Sequence, residues 1–296
     1  MTGLVPPVRE AGAGPGVVCL HSNASTSSQW RALMAQLAPD YRVFAPDSLG
    51  AGRSPAWPKT PEGRAATLAD EVALLAPVFE AAGAPFSLVG HSYGAAVALM
   101  AALAYPGRVR AIAVYEPTLF GLLDQERPGH EAADGIRRAA ADAARAIEAS
   151  DPYGAALRFI DYWTEPGSWN RMPAARQAPV AASMVNIANW SRELFTEPTR
   201  PEAFGTLAVP VLYMVGAKSP ASSRGVARLL TATLPDVSVV EFAGLGHMGP
   251  VTHPEVVNGA VAEFLSRHVA RVPAGCAVSQ AKTPAVSCMR ADTSPR

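Results

Sequence analysis

The chain predicts an α/β fold: a mostly parallel sheet with helices on both faces and a helical segment inserted after the strand that ends at Glu116. Three observations carry this. Short apolar runs alternate with longer helical stretches through residues 1–117 and 205–270, the pattern of right-handed βαβ units. Residues 118–204 break that alternation, being Ala/Arg-rich with no strand signal. Finally, the apolar run Phe86–Val89 leads into Gly90-His91-Ser92-Tyr93-Gly94, and an Ala-rich run follows, Ala95 to Ala104. That order reads as strand, sharp turn, helix.

The elements follow in order. Val17–Leu20 is a strand ending at His21-Ser22-Asn23, and only sixteen residues precede it, which predicts either a shortened start to the sheet or a missing first strand. Ser25 or Thr26 caps a helix through about Leu37. Arg42–Ala45 is the next strand, ending at Pro46-Asp47. Thr67 caps a helix to about Ala82, where Gly83 stops it. After the Phe86–Val89 strand and its helix to about Tyr105 comes the strand Val109–Tyr115, closed by Glu116-Pro117. Within 118–204, Ile136–Ala149 and Val180–Phe195 read as helices. Val209–Val215 resumes the sheet, followed by a helix from about Ser222 to Leu234, the strand Val237–Phe242 and a helix from Pro254 to about Val269. The 118–204 block is then a cap above the strand C-termini, where open α/β sheets bind ligands. Residues 271–296 mix Pro, Ser, Thr and basic residues without apolar period and are expected to be disordered.

Composition bounds the chemistry. The 296 residues are 49% hydrophobic and 17% charged, a globular balance, with 25 basic and 25 acidic residues. No basic surplus points to nucleic acid, and no apolar run reaches membrane-span length, so neither is an expected partner. Without a visible secretory signal, the cytoplasm is the expected compartment. Cys19, Cys276 and Cys288 form no disulfide framework, and no Cys/His cluster has metal-ligand spacing. No phosphate-binding loop is present either, so no cofactor or metal is expected.

The turn at Gly90–Gly94 has a physical rationale. Glycines on either side let strand and helix approach closely around a strained central residue, leaving the Ser92 hydroxyl over the sheet with a helix N-terminus beneath it. Gly-x-Ser-x-Gly alone is a weak signal, and an ordinary Gly-rich turn is the alternative; the flanking strand and helix favour a nucleophile.

Taken with the His21-Ser22-Asn23 loop and a late Gly246-His247-Met248, this elbow makes the chain resemble the α/β-hydrolase superfamily over about residues 8 to 268. Pro46-Asp47-Ser48-Leu49-Gly50-Ala51-Gly52-Arg53-Ser54 is similar to that superfamily's Asp-x-x-Gly-x-Gly-x-Ser loop, which is structural, so Asp47 is assigned no chemistry. The resemblance implies Ser92 as nucleophile and His247 as its base, ahead of His253. It places the acid after the strand Val209–Val215, yet Ser219 stands there, and a serine carries no charge. A second location in the superfamily, used by haloalkane dehalogenases, is the end of the strand after the elbow helix, where this chain has Glu116. Glu116 is therefore the expected acid, with a strand-end carboxylate held by backbone amides as the alternative. The oxyanion hole is implied at the amides of Asn23 and Tyr93. A serine rather than an Asp nucleophile argues against dehalogenase or epoxide hydrolase chemistry and for acyl transfer.

The expected activity is serine hydrolysis of an ester, lactone or related acyl bond of a small-molecule substrate. C–C bond hydrolysis and acyl transfer remain open on the same fold, as does a non-catalytic ligand-binding protein, which the missing Asp at position 219 would favour. Trp163, Trp169, Trp190, Met172, Met184 and Phe195 either wall a pocket or form the cap's own core, the latter expected for most.

Overall fold

The computed structural model describes residues 5–56 and 66–269; the tail expected to be disordered, with Cys276 and Cys288, lies outside them. Strand β1 (Val8–Ala11) pairs antiparallel with β3 (Arg42–Pro46), which runs parallel to β2 (Gly16–Leu20). The sheet start is thus short but present. Between β2 and β3, Thr26 accepts a bond from the Ser28 amide and opens a 3-10 turn that leads into α1 (Arg31–Leu37).

The helix expected from Thr67 to Ala82 is two helices, α2 (Leu68–Leu74) and α3 (Ala76–Ala82). Thr67 and Asp70 form a reciprocal capping box at its start. Pro77 has no N–H for the Ala73 carbonyl, so the ladder breaks around Leu75. Strand β4 (Phe86–His91) and helix α4 (Tyr93–Ala104) flank Ser92, and β5 (Val109–Tyr115) lies beside β4.

Between β5 and β6 the described residues are helical, with no strand. They form α5 (Gly121–Glu126), α6 (Asp134–Glu148), α7 (Pro152–Trp163), α8 (Ser168–Arg171), α9 (Ala174–Ser183), α10 (Ile187–Thr196) and α11 (Pro201–Phe204). The helix expected over Val180–Phe195 is broken: α9 contains Pro179 and ends in a 3-10 turn, Met184–Asn186, before α10 begins. In α6, Ile136, Ala139, Ala140, Ala143 and Ala146 are buried, one face of a 3.6-residue period. Helix α7 has no counterpart in the expectations, although Asp151 caps it and Pro152 occupies its first turn.

The sheet resumes with β6 (Val211–Gly216), which starts two residues late because Pro210 cannot donate to the ladder. Helix α12 (Ala221–Thr233), β7 (Val237–Phe242), α13 (Gly249–Thr252) and α14 (Pro254–His268) complete the order. Among the described residues the sheet has seven strands in the order β1-β3-β2-β4-β5-β6-β7, all parallel except β1. Alternating side chains of β2 serve two cores: Val18 and Leu20 pack with α2, α3 and α4, while Val17 and Cys19 pack with α1 and α14. A rigid two-faced sheet of this kind fixes the loops at its C-terminal edge, where the chemistry-bearing residues gather. No helix among the described residues is long and apolar enough to cross a membrane.

Candidate active site

Ser92 sits between β4 and α4 at φ +57°, a left-handed conformation that costs a non-glycine residue about 1–3 kcal/mol. The flanking glycines explain how it is held there. A Cβ on Gly94 would lie 2.2 Å from the Leu20 carbonyl oxygen, and one on Gly90 would lie 2.5 Å from Cα of Ala95. Strand β2, the turn and α4 are therefore packed backbone to backbone. The Ser92 amide donates to the Tyr115 carbonyl at 2.9 Å, tying the turn to β5.

His247, in the loop after β7, is brought to this serine: its Nε2 is 2.9 Å from Ser92 Oγ. Its Nδ1 is 2.6 Å from Glu116 Oε2, and both side chains are almost completely buried. With Nδ1–H donating to the carboxylate, Nε2 is left as the acceptor for the Ser92 hydroxyl. Glu116 is itself in the left-handed region, at φ +47°, just past the end of β5. Its other oxygen accepts from the Gly216 amide at 2.8 Å and the Ser219 hydroxyl at 2.5 Å. Burial pushes the carboxyl up, but the hydrogen bond and charge of His247, the Gly216 amide and the Ser219 hydroxyl together outweigh it and hold it below the usual glutamate range. Ser219, where the sequence lacked an expected Asp, is thus a donor to the carboxylate that lies elsewhere.

The remaining histidines are separate from this row. His91 is buried and bonded through Nε2 to the His247 carbonyl oxygen, 2.9 Å, and through Nδ1 to the Gln29 side-chain amide, 3.0 Å. Burial, reinforced by His247, pulls its pKa well down and keeps it neutral, so it supports the His247 loop. His21 accepts from the Ser48 amide and pairs with the Ser22 carbonyl, and burial lowers its pKa too. The exposed His253 side chain meets the Thr252 hydroxyl, far from this row in its bonding. Asp47 binds the Ser27 and Arg53 amides and closes its loop, as expected of a structural carboxylate.

Tyr93 opens α4, so its N–H has no carbonyl within the helix. Asn23 lies on the loop after β2 and lines the same cavity as Ser92. The walls of that cavity come from the helical block: Phe120, Phe159, Trp163, Trp190, Leu194 and Phe195. Its empty space, counted to its mouth, is about 320 Å³, the lower end of the range for ligand pockets. Trp163, Trp190 and Phe195 are wall residues, whereas Trp169 and Met184 are buried outside it. Phe120 and Phe159 were missed in the sequence because nothing local tells a cavity wall from a helix core. Trp163 also stacks on His247, ring centroids 4.0 Å apart. Among the described residues no group of His, Cys, Asp or Glu is arranged to hold a metal ion.

Known proteins resemble the chain in sequence and in fold. The chain is 27% identical to a pimeloyl-[acyl-carrier protein] methyl ester esterase of Chromobacterium violaceum, over 87% of this chain and 97% of that protein. It is 28% identical to a 2-(acetamidomethylene)succinate hydrolase of Mesorhizobium japonicum, over 87% and 90%. Among solved structures, an alpha/beta hydrolase from Sphaerobacter thermophilus superposes with a TM-score of 0.68 at 25% identity, covering 88% of this chain and 96% of the other. An esterase from Rhodococcus sp. ECU1013 has the same fold, with a TM-score of 0.69 at 24% identity over 89% and 98%. The family model for the alpha/beta hydrolase fold matches residues 15–254, and the chain belongs to that family.

Proposed function

We propose that the protein is a serine hydrolase that cleaves an ester or related acyl bond of a small, largely apolar substrate. The observation that carries this reading is the continuous row Glu116–His247–Ser92, with contacts of 2.6 and 2.9 Å. Ser92 Oγ attacks the substrate carbonyl while His247 Nε2 takes its proton. The imidazolium is paired with Glu116, which is fixed as a carboxylate by its other donors. The amides of Tyr93 and Asn23 stabilise the developing oxyanion, aided by the N-terminus of α4. His247 then gives its proton to the leaving alcohol, and water, activated by the same imidazole, releases the acid.

The relatives support an acyl substrate, one being a methyl ester esterase and another a hydrolase of a substituted succinate. The cavity beside Ser92 has no charged residue in its lining and holds five aromatic side chains, which favours uncharged acyl or aryl groups of modest size. A binding-only role rested on the missing Asp at position 219, and the Glu116–His247 contact weighs against it.

The test is turnover of a panel of 4-nitrophenyl esters, lactones and thioesters by the purified protein and a folded Ser92→Ala variant. The account expects ester or lactone turnover that falls by about four orders of magnitude in the variant. Equal rates for the two proteins would sink it.

A further inference from the structure

We propose that Ser219 is a positioning residue for this reaction: its hydroxyl fixes the Glu116 carboxylate in the orientation that serves His247. The inference rests on the hydrolase reading above. A carboxylate on a glutamate stem has three rotatable bonds, and only one of its oxygens, Oε2, is engaged by His247. The other lies in a fully buried site, where a charged oxygen needs donors of its own. Two supply it. The Gly216 amide, 2.8 Å away at the end of β6, is a single fixed point. The Ser219 hydroxyl, 2.5 Å away, is the second donor on this oxygen, and together with the Gly216 amide it fixes Oε1 from two directions while Oε2 faces His247, so the carboxylate keeps its rotation and its charge.

Ser219 is built to hold that position. It is buried, and its amide donates to the Gly216 carbonyl at 3.0 Å, closing a tight turn that Pro220 follows. The Lys218 amide donates to the Leu245 carbonyl at 2.9 Å, joining this turn to the loop that carries His247. The Tyr115 hydroxyl, from the strand that ends in Glu116, donates to the Gly246 carbonyl of the same loop at 2.7 Å. Acid, base and serine turn are thus one connected unit. The Ser219 hydroxyl is spent on Glu116 and Ser219 is not among the residues that line the cavity, so its effect on chemistry passes through Glu116.

The experiment compares wild type, Ser92→Ala, Ser219→Ala, Ser219→Thr, Glu116→Ala and the double variant Glu116→Ala with Ser219→Asp, using 4-nitrophenyl butyrate across pH 5 to 9. Ser219→Ala is expected to lower kcat about tenfold with KM nearly unchanged, the scale of one hydrogen bond to a buried charge. The acid limb of its pH profile should move to higher pH, since a carboxylate short of one donor holds a proton on the His247–Glu116 pair more tightly. Ser219→Thr, which keeps the hydroxyl, should restore both. The double variant should exceed Glu116→Ala, because an Asp at 219 puts a carboxylate beside the vacated position. A Ser219→Ala enzyme with wild-type kcat and pH profile, whatever its thermal midpoint, would overturn the proposal while a dead Ser92→Ala leaves the hydrolase reading intact. A fully active Ser92→Ala would overturn both.

Discussion

The indole of Trp163 lies over the imidazole of His247, with ring centroids 4.0 Å and planes 28° apart. Trp163 ends α7, in the helical block between β5 and β6, whereas His247 belongs to the loop after β7. The block therefore packs directly on the imidazole beside Ser92, and its side chains form most of the adjoining cavity wall.

Trp163→Leu should expose His247 and remove one aromatic wall. The expected outcome is a rise of about tenfold in KM for aryl esters, with kcat changed much less, because binding surface is lost while the Ser92–His247 contact is kept. Steady-state kinetics on an aryl and a short alkyl ester check it; an equal loss on both in kcat alone would contradict the assignment of Trp163 to binding.

Glu116→Gln keeps the shape of the side chain and removes its charge. An amide at this position can present its NH₂ to Nδ1 and favour the wrong tautomer, so kcat should fall by about three to four orders of magnitude. Circular dichroism should show a retained fold. A loss of less than tenfold would return Glu116 to the role of a strand-end carboxylate.

Glu193, on α10, accepts from the Tyr93 hydroxyl at 3.3 Å through one oxygen, and its other oxygen is buried with no hydrogen-bond partner among the described residues. Burial, then the nearby Glu71 carboxylate, push its carboxyl up to about 9, while burial pushes Glu71 itself up to about 7. An acid raised on folding stays protonated while the unfolded chain ionises. Its contribution to stability therefore declines as pH climbs from the ordinary glutamate value toward the folded one. Glu193→Gln should remove that decline. Its advantage in thermal midpoint over wild type should widen from pH 5 to pH 9, reaching about 2–4 °C or more. A constant difference across that range would show that Glu193 is ionised in the fold.

Gly94→Ala would drive a methyl group into the Leu20 carbonyl oxygen, 2.2 Å from the ideal Cβ, and the nearest atoms are all backbone of Leu20 and His21, with no side chain to swing away. Destabilisation of about 3 kcal/mol or more is expected, measured by urea unfolding, together with loss of Ser92 reactivity. By contrast a Cβ on Gly83 meets nothing within 4 Å, so Gly83→Ala is limited to the cost of its positive φ.

The parts legible in the sequence are those whose physics is local. Gly90-His91-Ser92-Tyr93-Gly94 carries its own steric reason for a sharp turn, and the buried runs of β2, β4, β5 and β6 read as two-faced strands. Thr67 and Asp70 announce their capping box. Asp151-Pro152 is an equally local signal for the start of α7. The break at Leu75 is also local, set by Pro77 in an otherwise helical pattern. Other features depend on contacts distant in the chain. Ser219 looks like a defect until Glu116, 103 residues away in sequence, is seen to share its hydrogen bond. Which aromatic residues face Ser92 is decided by how seven helices pack, and no sequence period records that.

The most direct test is mass spectrometry after brief treatment of the folded protein with a fluorophosphonate. The account predicts a single adduct on the peptide carrying Ser92, abolished in a folded His247→Ala variant. No adduct, or one on another residue with Ser92 unmodified, would contradict the claim that the Glu116–His247–Ser92 row arms this serine for attack.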